Sequence, residues 1–545
     1  MKMDSNNLFI PAPYSYYSVM KDKLNGIWSA KHQAWRFPKS VHALDEVVKY
    51  VPEVAKTDSF KEVYDLLKRG RDHLRSYKNK NLEQDKSDRL RYYQRQDVEY
   101  LKKIPCGGVF NEPRTGKTPT MIHVVKELGS WRTMVIAPAS LIYNWKNEIE
   151  KFDELASVII ANGTPAQRVE IYNKFFATSD RPMYLIVSKD TAKRDVEHLK
   201  YPHDVCIVDE AHYLRNIETA QTSAIYTVSY NAKRRYALTG TPSVKHPSDV
   251  YGILKFLYPY KFTSKWGFYE RYFYIDDNGF GKSVGKPKPN RVEELQDLLD
   301  AMSTQRLRKD VMSWLPDKEY HTHYCEMSKE QKKLYKSMLE DFFAKKDDVE
   351  IDTQNVLAQL MRLRQLCLDP TLLGFDCDSA KTEALIEAVE NNTYGRPLVI
   401  MSSFTSYLKK LKDEFELLGK TVGMITGEIT NKEKNDAAQA FQRGELDILL
   451  CNIISAGTGF TLDTGDTVIF TDKAWNPSEN QQAEDRVCPT SEDKLHKHTV
   501  VSMVCVDSVD VKIEKLLENK ESLTAVVNKC KNYKELKDYL FTFNM

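Results

Sequence analysis

The chain has no apolar run approaching the ~18 residues needed to span a bilayer, so no membrane-crossing helix is expected. Its nine cysteines (Cys106, Cys206, Cys325, Cys367, Cys377, Cys451, Cys488, Cys505 and Cys530) are scattered, and no two stand in a Cys-x-x-Cys pair. That argues against a disulfide framework and against a paired-cysteine zinc site, and it fits a reducing compartment. Charge of one sign is also missing: 79 Lys+Arg against 77 Asp+Glu leave a net charge of +2. Such a balance neither requires nor excludes a polyanionic partner, and any basic surface must be local. Met1 to Asn7 is polar and is followed by Pro11 and Pro13, so no secretory signal is expected. The expected location is cytoplasmic, in a host cytoplasm if the source is viral. Short-period repeats and low-complexity tracts are absent as well. What is present is ordinary globular material, 41% hydrophobic and 11% aromatic over 545 residues, enough for roughly three domains of ~150 residues each.

Four regions are expected: an N-terminal accessory unit over 1–85, an α/β lobe over 86–300, a helical insertion and linker over 301–380, and a second α/β lobe over 381–545. The first carries Tyr14, Tyr16, Tyr17, Trp28, Trp35 and Phe37 interleaved with Lys21, Lys23, Lys31, His32, Arg36 and Lys39. Interleaving of this kind suits either a small aromatic core or a surface that stacks bases and contacts phosphates. A basic helical connector follows over 61–80, equally readable as a solvated helix face. From Leu90 a helix leads into apolar strands that alternate with helical stretches. Strands are expected at Met134–Ala137, Tyr184–Val187, Val205–Val208 and Tyr236–Leu238, and again at Leu398–Ser402, Val422–Ile425, Ile448–Cys451, Val468–Phe470 and Val500–Val504. Such alternation predicts α/β lobes with parallel sheets covered by helices on both faces. Between them, 255–380 interrupts the pattern with a hairpin-like loop at 276–281 and helical runs near Val292–Met302 and Lys329–Lys345.

Chemistry concentrates at strand ends. Gly108 to Thr118 has a short apolar strand, a loop ending Gly116-Lys117-Thr118, and then a helix-compatible run. That is the layout of a phosphate-binding loop: Arg114, Thr115 and Gly116 bring backbone to the anion, Lys117 charges the outer phosphates, and Thr118 offers a hydroxyl to Mg2+. The full pattern has glycine where this chain has Asn111, the mildest replacement because asparagine tolerates left-handed backbone. Alone, the run would equally suit a loop and a helix start. About ninety residues on, Asp209-Glu210-Ala211-His212 ends another apolar strand. Asp209 can hold Mg2+ and Glu210 can orient and deprotonate a water, the division of labour that phosphoryl transfer needs. Thr239-Gly240-Thr241-Pro242 follows a third strand, as a turn or as a coupling element. In the second lobe, Ser455 to Phe460 is glycine-rich, and Gln482 and Arg486 stand four apart on an expected helix. On one face they form either a solvated polar patch or, towards a nucleotide, a water-positioning glutamine and an arginine finger.

The ordered set Gln94, GKT, DEAH, TGTP, SAGTGF and QAEDR resembles the Swi/Snf-type branch of the superfamily-two helicases. Ala137 to Trp145, Asp209 to Asn216, and Arg306 to Val311 with Leu315-Pro316 resemble further signatures of that branch. The resemblance covers about 88–520 and implies two RecA-like lobes, ATP and Mg2+ as cofactors, and duplex or branched DNA as the substrate. It implies that Gln94 reads adenine, Gly457 joins the nucleotide site, and Ser188, Gly427 and Thr458 touch DNA phosphates. The segment Lys21–Val48, with Trp28 and Lys31 to Pro38 around Trp35, is similar to the HARP recognition module of fork-remodelling and annealing members. A monomer is expected, and no protein partner is indicated.

One departure stands out. The second arginine of the QAxxRxxR pattern falls on Pro489, which has neither charge nor backbone donor. Three readings therefore stay open: a translocase that remodels branched DNA by branch migration, fork reversal or limited unwinding; a nucleotide-gated DNA clamp with little turnover; and an RNA helicase.

Overall fold

The computed structural model describes every residue except 5–6, 25, 39–40, 79–88, 178–179, 243–245, 278–281, 316, 344–352, 394, 396, 457–459, 490–496, 520–526, 528–529, 531–534 and 536–545. It divides into two compact units, Met1–Val311 and Met312–Met545.

The first unit begins with a small antiparallel sheet: β1 (Lys2–Met3), β2 (Asn7–Ile10), β3 (Ile27–Ser29) and β4 (Ala34–Pro38), in the order β1-β2-β4-β3. Period-2 alternation sorts its two faces. The cross-strand pairs Leu8–Phe37 and Ile10–Trp35 are buried beside Leu44 and Val47 of helix Val41–Tyr50. On the opposite face Phe9 pairs with Arg36, and the His32 ring stacks on Phe9 at 3.8 Å. The aromatic residues of this unit divide between core and surface. Trp35 and Phe37 are core, whereas Tyr14 (87% exposed), Tyr17 (43%) and Trp28 (50%) lie at the surface.

The main sheet of this unit uses β5 (Cys106–Val109), β6 (Arg132–Ala137), β7 (Ser157–Ile160), β8 (Met183–Ser188), β9 (His203–Asp209) and β10 (Ala232–Leu238). A hairpin, β11 (Phe273–Asp277) and β12 (Lys282–Pro287), then precedes the edge strand β13 (Ser303–Thr304). The seven-stranded order is β13-β5-β10-β9-β6-β8-β7, parallel throughout. Alternate residues feed two cores: Met134, Ile136, Cys206 and Val208 on one face, Val135, Ala137, Val205 and Ile207 on the other. Burial on both faces is why these strands read as unbroken apolar runs.

A buried ion network joins the N-terminal sheet's helix to this lobe. Arg291, 1% exposed, bonds Glu46, the Glu294 carboxylate at 3.1 Å and the Lys23 carbonyl at 3.2 Å, and Arg271 meets Glu294 at 2.6 Å. Burial alone would raise the Glu294 carboxyl; Arg271 and Arg291 outweigh it and hold the group below the usual carboxylate range.

The second unit holds β14 (Lys318–Cys325), β15 (Leu398–Ser402), β16 (Val422–Ile425), β17 (Ile448–Asn452), β18 (Thr467–Phe470) and β19 (His498–Cys505). They form a six-stranded parallel sheet in the order β14-β19-β18-β15-β17-β16. The two-lobed parallel α/β class holds, with one difference. The stretch expected to be helical insertion and linker also supplies edge strands, β13 to the first sheet and β14 to the second. Lys-Glu-Tyr-His-Thr-His-Tyr-Cys has no apolar alternation because only Cys325 of β14 is buried; it is a strand through its eight-residue register with β19. No helix among the described residues is long and apolar enough to cross a membrane.

Candidate functional site

Sheet register places three motifs side by side. Leu238, the last residue of β10, pairs with Val109 on one flank and Asp209 on the other. The glycine-rich loop, TGTP and DEAH thus leave adjacent strands at one carboxyl edge, where parallel sheets collect ligands. The Thr239 amide donates to the Val109 carbonyl at 3.1 Å, and a Cβ on Gly240 would stand 2.9 Å from Pro113 of the loop.

In the loop itself, Arg114 and Gly116 adopt left-handed backbone, φ +73° and +79°. Gly116 opens helix Lys117–Glu127, so the helix's first amides face the loop's concavity. Lys117 Nζ donates to the carbonyls of Asn111 (3.0 Å) and Glu112 (3.3 Å). Thr115 is buried and donates to the Glu112 carbonyl, while the half-buried Thr118 hydroxyl makes no hydrogen bond among the described residues. Gln94 closes the loop from behind. Its Nε2 donates to the Thr115 carbonyl at 3.0 Å and would lie 2.0 Å from a Cβ on Gly116, while its Oε1 accepts from the Arg91 amide.

Asn111 does not behave as the sequence suggested. It is absent from the left-handed residues, so its tolerance of positive φ is not what suits it to the glycine position. Its fully buried amide instead donates to Asp97 at 2.7 Å and accepts from Thr304 at 3.3 Å.

Opposite the loop, Asp209 accepts from Trp145 Nε1 and from the Glu210 amide, both at 2.8 Å. Burial first, then the charge of Glu210, pushes the Asp209 carboxyl up to about 6. A cation beside it would relieve that penalty, and Lys117 already acts in that direction. Glu210 is left-handed at φ +50°, a conformation uncommon for a residue with a side chain and held here by the turn that follows. His212 Nδ1 lies 3.2 Å from both Glu210 Oε2 and Thr239 Oγ1, linking DEAH to TGTP. The donor set fits a nucleotide with a divalent cation: backbone amides and an ammonium for the phosphates, Thr118 and Asp209 for the metal.

Residues 62–372 match the SNF2-related domain family, more than half of the chain. The chain belongs to the SNF2-related family. Residues 380–488 match the helicase conserved C-terminal domain. Among curated relatives, the chain is 26% identical over 472 residues to a putative ATP-dependent helicase/translocase, YwqA, of Bacillus subtilis, covering 82% of this chain and 49% of that protein. It is 27% identical over 487 residues to an uncharacterized ATP-dependent helicase of Mycoplasma pneumoniae, covering 84% and 45%. The chain therefore spans about half the length of these relatives. A solved Sulfolobus solfataricus SWI2/SNF2 ATPase core in complex with dsDNA aligns over 84% of this chain and 98% of that one, with 23% identity and a TM-score of 0.39.

In the second unit, helix Pro477–Glu484 carries Gln482 but ends before Arg486, which lies in the following turn with its amide bonded to the Ala483 carbonyl. The two are therefore not on one continuous helical face, as the spacing suggested. Lys318 of β14 holds the intervening Glu484 and Asp485 carboxylates, each at 2.9 Å. Pro489 is buried. Gly427 is exposed, and a Cβ added there would meet only Ser455 Oγ, at 4.0 Å. Gly457 and Thr458 lie outside the described residues.

Two other expected contact residues are buried. Ser188 caps helix Lys189–Arg194 by accepting from the Thr191 amide at 3.0 Å. Trp35 is 3% exposed, so its ring is not available to stack on a base; Trp28 is. Sequence reasoning missed Asp97 and His212 as members of the site. Asp97 left a signal, a carboxylate inside the apolar stripe of Val98 and Leu101.

Proposed function

We propose that the chain is a monomeric ATP-dependent DNA translocase. One observation carries this most directly: the loop bearing Lys117 and Thr118 follows β5 and the Asp209–Glu210 pair ends β9, the two strands that flank β10, and the Lys117 charge acts on the Asp209 carboxyl. Lys117, the loop amides and Gly116 hold the phosphates, and Gln94 backs the loop on the adenine side. Thr118 and Asp209 would hold Mg2+, which when bound neutralises charge on the transferring phosphoryl group. Glu210, fixed by its strained backbone and the contact with His212, positions a water and takes its proton. Gln482 and Arg486 are proposed as the water-positioning glutamine and the arginine finger that the family resemblance implies.

The substrate is proposed to be duplex or branched DNA, with branch migration, fork reversal or limited unwinding as the outcome. The exposed Tyr14, Tyr17 and Trp28, beside exposed Lys21, Lys31 and Arg36, support an accessory role for the N-terminal sheet in contacting junction bases and phosphates. That role accords with the HARP-like resemblance. Ser188, Gly427 and Thr458 remain the proposed phosphate contacts, Gly427 with open space around it and Ser188 only if its cap releases.

The test is ATP hydrolysis with forked, Holliday-junction, duplex and single-stranded DNA, alongside RNA. Stimulation by DNA, lost in Lys117→Ala and in Glu210→Gln, with Glu210→Gln still binding ATP, supports the reading; no stimulation by any DNA sinks it. Pro489 favours one rival, a nucleotide-gated clamp, for which the same assay would show ATP-dependent DNA affinity with negligible turnover.

A further inference from the structure

The first half of the phosphate loop is paired with another stretch of chain along its whole length. The Gly108, Phe110 and Glu112 amides donate to the Met302, Thr304 and Arg306 carbonyls at 2.7, 2.8 and 2.9 Å. The Arg308 amide returns a bond to the Glu112 carboxylate at 2.6 Å. Residues 302–308 are the chain's exit from the first unit, which ends at Val311. The loop therefore continues the sheet, with the exit segment as its edge partner.

Side chains lock this pairing from the interior. Asp97, fully buried, accepts Asn111 Nδ2 at 2.7 Å and both Nε and Nη2 of Arg306, at 2.9 and 2.8 Å. Thr304 Oγ1 completes the circuit by donating to Asn111 Oδ1. A planar guanidinium placing two N–H groups on one carboxylate oxygen fixes direction in a way an ammonium cannot. Asp97 also sits three residues after Gln94 on helix Tyr92–Lys103. One helix thus grips the loop at both ends, through Asp97 at Asn111 and through Gln94 at Thr115.

Lys117 supplies the link to nucleotide. Its ammonium lies on the carbonyls of Asn111 and Glu112, the residues that the exit segment and Asp97 hold. Turning towards a phosphate means leaving them.

We infer that Asp97, Asn111 and Arg306 are positioning residues that tie the phosphate loop to the exit segment, so that nucleotide occupancy and the conformation of residues 302–308 are coupled. The inference rests on the reading of this loop as the ATP site. It accounts for Asn111 at a position where the loop pattern has glycine: the amide is required as a bridge, and Asn111→Gly, although it restores the pattern, is expected to harm.

The test combines Mg-ATP and Mg-ADP titrations, steady-state ATPase kinetics and amide hydrogen exchange on the full chain. Lys117→Ala is the control for the site. Asn111→Gly and Arg306→Ala should each weaken ATP binding about tenfold, in KM more than in kcat, as loss of a buried charge-assisted bond implies. Arg306→Lys should not restore it. In the wild type, exchange at Gly108, Phe110, Glu112 and over 302–308 should change when ADP binds, and Arg306→Ala should remove that response. Variants that bind ATP as the wild type does overturn the inference. So does a wild type that binds ADP with unchanged exchange at these amides, a comparison that needs no variant to fold and leaves the site reading standing. A wild type that binds no nucleotide overturns the site reading, and this inference with it.

Discussion

Gly252→Ala probes the support beneath the DEAH turn. Gly252 lies in the buried helix Val250–Leu257, which crosses the turn Ala211–Arg215 immediately after Glu210. A Cβ there would stand 1.9 Å from the Leu214 carbonyl oxygen, 2.6 Å from its carbon and 3.2 Å from the Arg215 nitrogen. All three are backbone atoms, so no rotamer change relieves the clash. Real Cβ contacts essentially never fall below 3.0 Å, so helix and turn must part by at least 1.1 Å. The helix resists this, because the Gly252 carbonyl is held by the Tyr226 hydroxyl at 2.9 Å. Overpacking of this kind costs about 1–3 kcal/mol, and a backbone-limited contact belongs at the upper end. Alanine returns about 1 kcal/mol of helix propensity, leaving a net loss of about 2 kcal/mol. Displacement should also reach Glu210 and His212, and a shift near 1 Å at a reacting group can lower turnover by up to ~100-fold. Urea unfolding followed by tryptophan fluorescence, with ATPase kinetics beside it, measures both effects. Gly70→Ala is the control: in helix Asp58–Lys78 its added Cβ meets nothing within 4 Å, so it should stabilise by about 0.5–1 kcal/mol. A Gly252→Ala protein within about 0.5 kcal/mol of wild type, with unchanged turnover, would refute the packing described here.

Arg291→Ala should destabilise the first unit by about 3–5 kcal/mol, because it leaves the buried Glu294 and the partly buried Glu46 carboxylates without their shared cation. Adding Glu294→Gln should recover part of the loss, and urea unfolding with limited proteolysis of the N-terminal unit reads both. The two tryptophans should separate cleanly. Trp28→Ala is expected to weaken forked-DNA binding by about 1–3 kcal/mol in fluorescence anisotropy, with a stability loss of only about 1 kcal/mol from its edge contact with Trp35. Trp35→Ala should cost about 3–5 kcal/mol of stability, since its ring is in the core against Tyr17 and Trp28.

Strands buried on both faces were legible because burial and apolar sequence coincide: the expected strands at Met134–Ala137, Val205–Val208 and Ile448–Cys451 lie within β6, β9 and β17. Helices showed themselves by stripe: Leu408, Leu411, Phe415 and Leu418 stand three or four apart, which predicts a sheet-covering helix over 406–418, and helix Thr405–Leu417 buries the first three. Edge strands divided: Val422–Ile425 was legible and is the edge strand β16, whereas β13 and β14 were not. β13 is two residues long and β14 is largely exposed, and neither pattern differs from loop. The site divided in the same way. Gly116, Lys117, Thr118, Asp209 and Glu210 announced themselves through residue type, spacing and position after a strand. Asn111 was noticed for the wrong reason, since its amide rather than its backbone matters. Trp28 and Trp35 are seven apart in one aromatic-basic stretch, and composition could not say which was core.

What the sequence determined by itself is therefore what short-range physics encodes: periodicity, turn chemistry, and the residue types a phosphate and a metal require. Tertiary structure alone decided the partners: Arg306 on Asp97, Lys318 on Glu484 and Asp485, Arg291 on Glu46 and Glu294. Four of these five pairs join residues more than 150 positions apart, and a buried charge reveals nothing of its counter-ion until the chain has folded around both.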